Sequence, residues 1–172
     1  NADDFAAAVS PLLASLDDRS CGAVSVDSVL IGERNAAVAV IPASTQKVPV
    51  AAVALERLGA DFRYTTEVVA VSRPLDGVVD GDLFLVGGGD PLLSSDWYPG
   101  SRLETNPVTS PTSLDVLADR VVEAGVTSIS GSVIGDGSRY DDEYFAPGWG
   151  PGVAGVEAGP YDALMANDSR VR

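Results

Sequence analysis

The chain has 172 residues, of which 45% are hydrophobic, and a formal net charge of −14 at pH 7. This length and composition suffice for one domain, or for one domain and part of another, and so acidic a surface repels nucleic acid and anionic lipid. The chain contains no histidine, one cysteine and one lysine. Their scarcity excludes a Ser-His-Asp triad, an HExxH zinc site, an internal disulfide and a CxxC metal site. We therefore expect neither a metal nor another cofactor.

The first 60 residues predict two helices that flank a β-hairpin. Ser10 and Pro11 suit the start of a short helix, and a later apolar face at helical spacing stops naturally at Gly59. Pro49 lacks the N–H that a regular helix would direct at Thr45, so we expect an irregular first turn in the second helix. The predicted elements are a helix at 11–18, strands at 23–31 and 36–41 joined by a turn at 32–35, and a helix at 45–58.

The residues from Phe62 onward predict a β-rich region with one helix. Asp-Gly pairs at 76–77 and 80–81 are turn signals, and Ser113 and Gly125 suit the two ends of the helix. No stretch approaches 18 consecutive apolar residues, so no membrane span is predicted. The predicted elements are strands at 62–72, 82–86 and 126–134 and a helix at 113–124.

Two local features have structural rather than chemical interpretations. The glycine run at 87–89 leads neither into a GK[ST] phosphate loop nor into a GxGxxG motif, so we interpret it as a tight turn after a strand. Cys21 lies beside a predicted strand, and we interpret it as a small buried hydrophobe.

Ser44 and Lys47 form the strongest candidate for chemistry. A serine hydroxyl is a poor nucleophile unless a base takes its proton, and without histidine that base must be another side chain. A neutral lysine can serve, whereas arginine stays protonated. Residues i and i+3 of a helix lie about 5–6 Å apart at Cβ, so Lys47 would reach back toward Ser44 Oγ. The helix N-terminus would also place N–H groups and partial positive charge beside the nucleophile.

The same pair also fits a purely structural role. Ser44 suits the capping position of the helix, and Lys47 suits a solvated residue of its first turn. The SxxK spacing occurs in many unrelated chains, so the spacing by itself does not decide between the two interpretations.

The sequence that flanks Ser44 and Lys47 resembles that of one protein family. Residues 41–48, IPASTQKV, are followed by an alanine-rich helix and by LGADFRYTT at 58–66. This text closely resembles the low-molecular-mass class C penicillin-binding proteins, the S13 family of D-Ala-D-Ala peptidases. Further similar segments, in the same order along the chain, are Gly81-Asp82-Leu83, Gly89-Asp90-Pro91-Leu92, Gly131-Ser132-Val133-Ile134 with Asp136, Ala146-Pro147-Gly148-Trp149, and 159–172.

The resemblance implies an α/β fold that starts a transpeptidase- and β-lactamase-like domain, with helices on an antiparallel sheet, interrupted by a β-rich insertion. Residues 1–72 would begin the catalytic domain, and 73–172 would belong to an incomplete insertion domain that folds as a unit of its own. The implied activity is that of a serine-type D-alanyl-D-alanine carboxypeptidase of the bacterial cell envelope, outside the cytoplasm. Such enzymes act on peptidoglycan stem peptides through an acyl-serine intermediate and are trapped by β-lactams, and some members also cut crosslinks. Ser44 would be the nucleophile and Lys47 the general base.

The resemblance also implies two substrate-binding residues. In the family, an acid and an aromatic residue of the insertion approach the diamino-acid side chain of the stem peptide, and Asp136 and Tyr140 match that short motif. A turn aspartate before Gly137 and a packing aromatic are the alternative interpretation of the two residues.

The family's second and third motifs, SxN and KTG, are absent, and a KTG is impossible because Lys47 is the only lysine. In the family both motifs follow the insertion, so we expect them on polypeptide beyond this chain. We also expect residues 1–172 alone to be inactive and poorly stable.

Two further functions stay open at this point. The text from Ser44 to Pro49 also resembles the motif of class D serine β-lactamases, although those compact enzymes lack the long β-rich insertion. A non-catalytic peptidoglycan-binding module on the same fold is the other. Labelling by a fluorescent penicillin separates binding from acylation, and rapid turnover of the drug would favour a β-lactamase.

Overall fold

The computed structural model describes residues 2–98, 110–154 and 158–169. Helices and small sheets form a mixed α/β fold, which confirms the predicted fold class. The chain divides into two compact units, Asn1–Phe62 and Arg63–Arg172. The first unit contains helix α1 (Ala2–Ala14), strands β1 (Gly22–Val26) and β2 (Val29–Arg34), a 3₁₀ turn (Ala43–Gln46) and helix α2 (Lys47–Leu58).

The N-terminal helix is longer than the sequence indicated. The prediction of a helix at 11–18 is wrong, because α1 ends at Ala14 and contains Pro11 in its interior. The preceding alanine-rich turns have the highest helix propensity and continue through the proline. Cys21 is exposed, so its interpretation as a buried residue is also wrong.

The hairpin turns earlier than predicted. Strands β1 and β2 pair antiparallel with Val26 opposite Val29, and the two residues between them, Asp27 and Ser28, both have positive φ (48° and 67°). Such a two-residue turn matches the twist of an antiparallel pair and favours Asp at its first position. The predicted turn at 32–35 and the second strand at 36–41 are therefore wrong, since β2 occupies most of that turn.

Helix α2 confirms the predicted helix at 45–58. It follows directly on the 3₁₀ turn, which is the irregular start that Pro49 indicated. Pro49 is the third residue of the α-helical segment, where a backbone N–H has no partner within the helix. The helix ends at Gly59, whose φ is 84° and whose N–H donates to the Leu55 carbonyl at 3.0 Å.

The second unit is built around a three-stranded sheet. Its order is β3-β5-β9, with β3 antiparallel and β9 parallel to the central strand. Among the described residues of this unit, β4-β8 and β6-β7 form two further two-stranded parallel pairs. The elements are β3 (Glu67–Ala70), β4 (Val78–Val79), β5 (Leu83–Val86), β6 (Leu93–Ser94), β7 (Thr112–Ser113), helix α3 (Leu114–Glu123), β8 (Ser128–Ile129) and β9 (Val133–Asp136).

Helix α3 has the predicted ends. The Ser113 hydroxyl accepts a hydrogen bond from the Val116 N–H at 3.1 Å, as an N-cap does, and Gly125 follows the helix with a φ of 91°. The predicted strand at 126–134 is broken into β8 and β9. The two pieces belong to different sheets, since β8 pairs with β4 and β9 with β5. Between them the chain passes so close to its neighbour that a Cβ on Gly131 would lie 2.2 Å from an Asp82 carboxylate oxygen.

Buried apolar residues lie mainly in the second unit. Val79 is fully buried, and Leu83, Leu93 and Ala163 are nearly so. Helix α2, by contrast, buries no residue.

The boundary between the units lies at residue 62, ten residues before the predicted end of the catalytic segment. Strand β3, which pairs with β5, therefore belongs to the second unit. None of the helices within the described residues is long and apolar enough to cross a membrane.

Candidate active site

The 3₁₀ turn in front of α2 brings Ser44 and Lys47 together. Lys47 Nζ donates a hydrogen bond to Ser44 Oγ at 2.9 Å. Since this contact joins residues three apart, the local backbone is enough to form it. The distance between the two atoms is within the reach that proton transfer between a serine and a base requires, and both side chains are exposed.

The backbone around the serine is tightly turned. Thr45 donates two hydrogen bonds to the Pro42 carbonyl, one from its N–H at 3.0 Å and one from its hydroxyl. Between them Ala43 adopts a φ of 45°, a left-handed conformation that costs a residue other than glycine about 1–2 kcal/mol. Strain of this kind at the residue before a candidate nucleophile is typical of functional sites.

A second group of candidate side chains lies in the second unit. Asp136 ends β9, and Tyr140 follows in a turn closed by its N–H on the Gly137 carbonyl at 3.2 Å. Both residues line one open cavity of about 390 Å3, which we call the acidic cavity. Its lining consists of Gly135, Asp136, Gly137, Ser138, Tyr140, Asp141, Asp142, Tyr144 and Asp162.

Asp136 is held as a carboxylate. Hydrogen bonding by Ser138, from its hydroxyl and then from its N–H, keeps the pKa of Asp136 below its ordinary value of 3.8. The N–H of Ser138 lies 2.9 Å from Asp136 Oδ1. With four aspartates and no cationic residue among the described residues that line it, the acidic cavity favours a positively charged ligand. Among the described residues, no group of three or more acids, histidines or cysteines is arranged to hold a metal ion.

Asp162 is the cavity residue from a distant segment that sequence reasoning missed. Its Oδ1 accepts the Ala163 N–H at 2.6 Å, and its Oδ2 lies against Gly137, where a Cβ would be 2.2 Å away. Asp162 is 26 positions from Asp136 in the sequence, and no local pattern joins them. The only signal was the family likeness of the segment at 159–172, which named no individual residue there.

The sequence profile of the D-Ala-D-Ala carboxypeptidase 3 (S13) family matches residues 14–171. The chain belongs to this family. The match runs through both units of the fold and confirms the resemblance seen in the sequence.

Similar proteins carry corresponding names. The chain is 34% identical over 140 residues to the D-alanyl-D-alanine carboxypeptidase of Actinomadura sp.. The matched region covers 80% of this chain and 23% of that protein. The chain is 32% identical over 142 residues to a carboxypeptidase of Mycobacterium tuberculosis, which covers 78% of this chain and 27% of that protein. The chain thus spans about a quarter of the length of these relatives.

A solved structure supports the fold. Penicillin-binding protein 4 of Haemophilus influenzae superposes with a TM-score of 0.69 and 24% identity, over 93% of this chain and 33% of that one. In this S13 chain, the SxxK pair lies in the first unit, and Asp136 and Tyr140 lie together in the second.

Proposed function

We propose that the protein containing this chain is a serine-type D-alanyl-D-alanine carboxypeptidase of the bacterial cell envelope, outside the cytoplasm. The observation that carries the proposal is the 2.9 Å contact between Lys47 Nζ and Ser44 Oγ in a chain of the S13 family. With no histidine in the chain, Lys47 is the side chain in reach that can take the serine proton when its amine is neutral.

The proposed reaction proceeds in two steps. Ser44 Oγ attacks the carbonyl carbon between the two D-alanines while Lys47 takes its proton, and the peptide C–N bond breaks as the departing amine of the terminal D-Ala receives a proton. Water then attacks the acyl-serine, and the serine oxygen regains a proton. The negative charge on the carbonyl oxygen needs N–H donors, and the N–H of Ser44 is one candidate. A β-lactam would acylate the same oxygen by opening its ring.

Asp136 and Tyr140 are proposed to bind the diamino-acid side chain of the peptidoglycan stem. The side chain ends in an ammonium, and a carboxylate kept ionised by Ser138 is a suitable partner for it. Asp162 would add negative charge to the same cavity. The acidic lining supports this assignment, and Tyr140, 46% exposed, is accessible to a ligand.

The remaining parts of the site are proposed to come from polypeptide outside this chain. An acyl-transfer site also needs groups that hold the substrate carboxylate, and the SxN and KTG motifs that would supply them are absent. The exposed apolar side chains of the first unit support a packing partner: Val48 is 71% and Ile41 92% exposed.

The proposal is tested with the full-length protein that contains this chain. We expect release of D-Ala from a peptide ending in D-Ala-D-Ala and covalent labelling by a fluorescent penicillin, both lost in Ser44→Ala. Ser25→Ala, an exposed serine of the hairpin, is the matched control and should behave as the wild type. Labelling that survives Ser44→Ala would refute the assignment. Penicillin binding without acylation would indicate a non-catalytic module, and rapid hydrolysis of the drug a β-lactamase.

A further inference from the structure

The glycine run at 87–89 is a segment of close backbone approach. Only Gly89 has a positive φ (89°), so a turn explains one glycine of the three. A Cβ on Gly87 would lie 2.2 Å from the Ala163 carbonyl oxygen, and one on Gly88 would lie 2.0 Å from the Thr65 carbonyl oxygen. Neither carbonyl oxygen can move aside without moving the backbone that carries it. Residues 87 and 88 therefore have no room for a side chain.

The run is also bonded to the acidic cavity. The Gly87 N–H donates to the Asp136 carbonyl at 2.9 Å, at the end of β9. The backbone that carries the Asp136 carboxylate is therefore fixed against the run.

Gly89 differs from its neighbours because it faces a side chain. A Cβ at this position would lie 2.1 Å from the Tyr140 hydroxyl oxygen and 3.0 Å from Tyr140 Cζ. The Gly89 N–H donates to the Ala163 carbonyl at 2.7 Å, so the backbone is bonded to another segment and cannot easily withdraw. A side chain at residue 89 and the present position of the Tyr140 hydroxyl therefore exclude each other.

We propose that Gly89 is a positioning residue for Tyr140. By lacking a side chain, it leaves the space that is occupied by the hydroxyl of Tyr140, a residue that lines the acidic cavity. It thereby contributes to the preference of that cavity for stem peptides whose diamino-acid side chain ends in a free ammonium. The inference rests on the proposed function of Asp136 and Tyr140.

The test compares two peptides in the full-length protein. Both end in D-Ala-D-Ala, and they differ only in whether the side-chain amine of the diamino acid is free or acetylated. The measured quantity is the ratio of kcat/KM for the free over the acetylated peptide, in Gly89→Ala, Tyr140→Phe and the double variant. Gly125→Ala is the matched control, because Gly125 has nearly the same φ (91°) and a Cβ added there would meet no atom within 4 Å.

We expect the ratio to fall about tenfold in Gly89→Ala and in Tyr140→Phe, the size of one lost hydrogen bond to a charged group. The double variant should fall no further than Tyr140→Phe, and Gly125→Ala should keep the wild-type ratio. A wild-type ratio near one would overturn the ammonium site and this inference with it. A high wild-type ratio that persists in Gly89→Ala would overturn this inference alone, and a crystal structure of that variant would show whether the hydroxyl had moved.

Discussion

The two groups of candidate residues are held in place by different means. Ser44 and Lys47 meet within a single turn, beside a helix that buries none of its residues. Asp136 and Asp162 reach one cavity from positions far apart in the chain, in a unit whose Val79 is fully buried. Local sequence therefore suffices for the first pair, whereas the second depends on long-range packing.

The contrast has an energetic side. Burial of apolar surface stabilises a fold by about 25 cal/mol per Å2. The first unit lacks much of this stabilisation, because Val48, Val50 and Leu55 are more than half exposed. The second unit already removes Val79, Leu83 and Leu93 from water. Under the proposed function, the first unit gains its stability only when the rest of the protein covers α2.

The largest expected effect is that of isolating the chain. Residues 1–172 expressed alone should release no D-Ala, because the SxN and KTG groups are missing. Hydrogen exchange should show slower exchange for amides in β5 and β9 than in α2, because α2 lacks a packed face. Cooperative unfolding of the isolated chain together with substantial D-Ala release, lost in Ser44→Ala, would contradict this prediction.

The next effect concerns the base. In the full-length protein, Lys47→Arg should slow penicillin acylation by about 10²- to 10⁴-fold, the usual contribution of a general base, because arginine keeps its proton. Arg57→Lys on the same helix is the charge-matched control and should acylate normally. Normal labelling of a folded Lys47→Arg protein would remove Lys47 from the mechanism.

A pair of valine truncations separates the two units directly. Val79→Ala should lower the free energy of unfolding of the second unit by about 2 kcal/mol, because removing two methyl groups from this buried side chain leaves a cavity. Val48→Ala should have almost no effect in the isolated chain, where the side chain is 71% exposed. In the full-length protein it should be destabilising, and equal effects in both proteins would show that α2 stays uncovered.

Sequence reasoning succeeded where short-range signals decide the structure. The cap at Ser113, the stop at Gly59 and the SxxK spacing are all read within one or two turns of chain, and each is present. The predicted position of the hairpin turn is wrong because the turn uses Asp27 and Ser28 at positive φ. The Gly-Glu-Arg-Asn segment downstream has a stronger turn signal.

The acidic cavity shows the other limit. Asp136 and Tyr140 were found only through the family motif, and the structure places both in its lining. The role of the glycine run could not be predicted, because the atoms that forbid a side chain at 87 belong to Ala163. Contacts between distant segments leave no periodic trace in one sequence.

The smallest expected effect is the titration of two aspartates, one in each unit. The pKa of Asp136 is lowered by Ser138, and the pKa of Asp17 is lowered chiefly by the Arg19 N–H, which lies 2.8 Å from its Oδ1. A carboxyl whose folded pKa is depressed stabilises the fold above its ordinary value of 3.8. That contribution is lost as the pH falls through the folded pKa.

Carbon-13 NMR titration of the isolated chain should therefore distinguish the units. Asp136 should still titrate below 3.8, because the second unit has its own buried residues. Asp17 should titrate at its ordinary value, because the first unit, whose helix α2 is uncovered, should be unfolded in the isolated chain. Titration in urea is the control, in which both should be ordinary. If Asp17 remains depressed in the isolated chain and becomes ordinary in urea, the first unit folds without a partner, and the contrast between the two units is one of exposure alone.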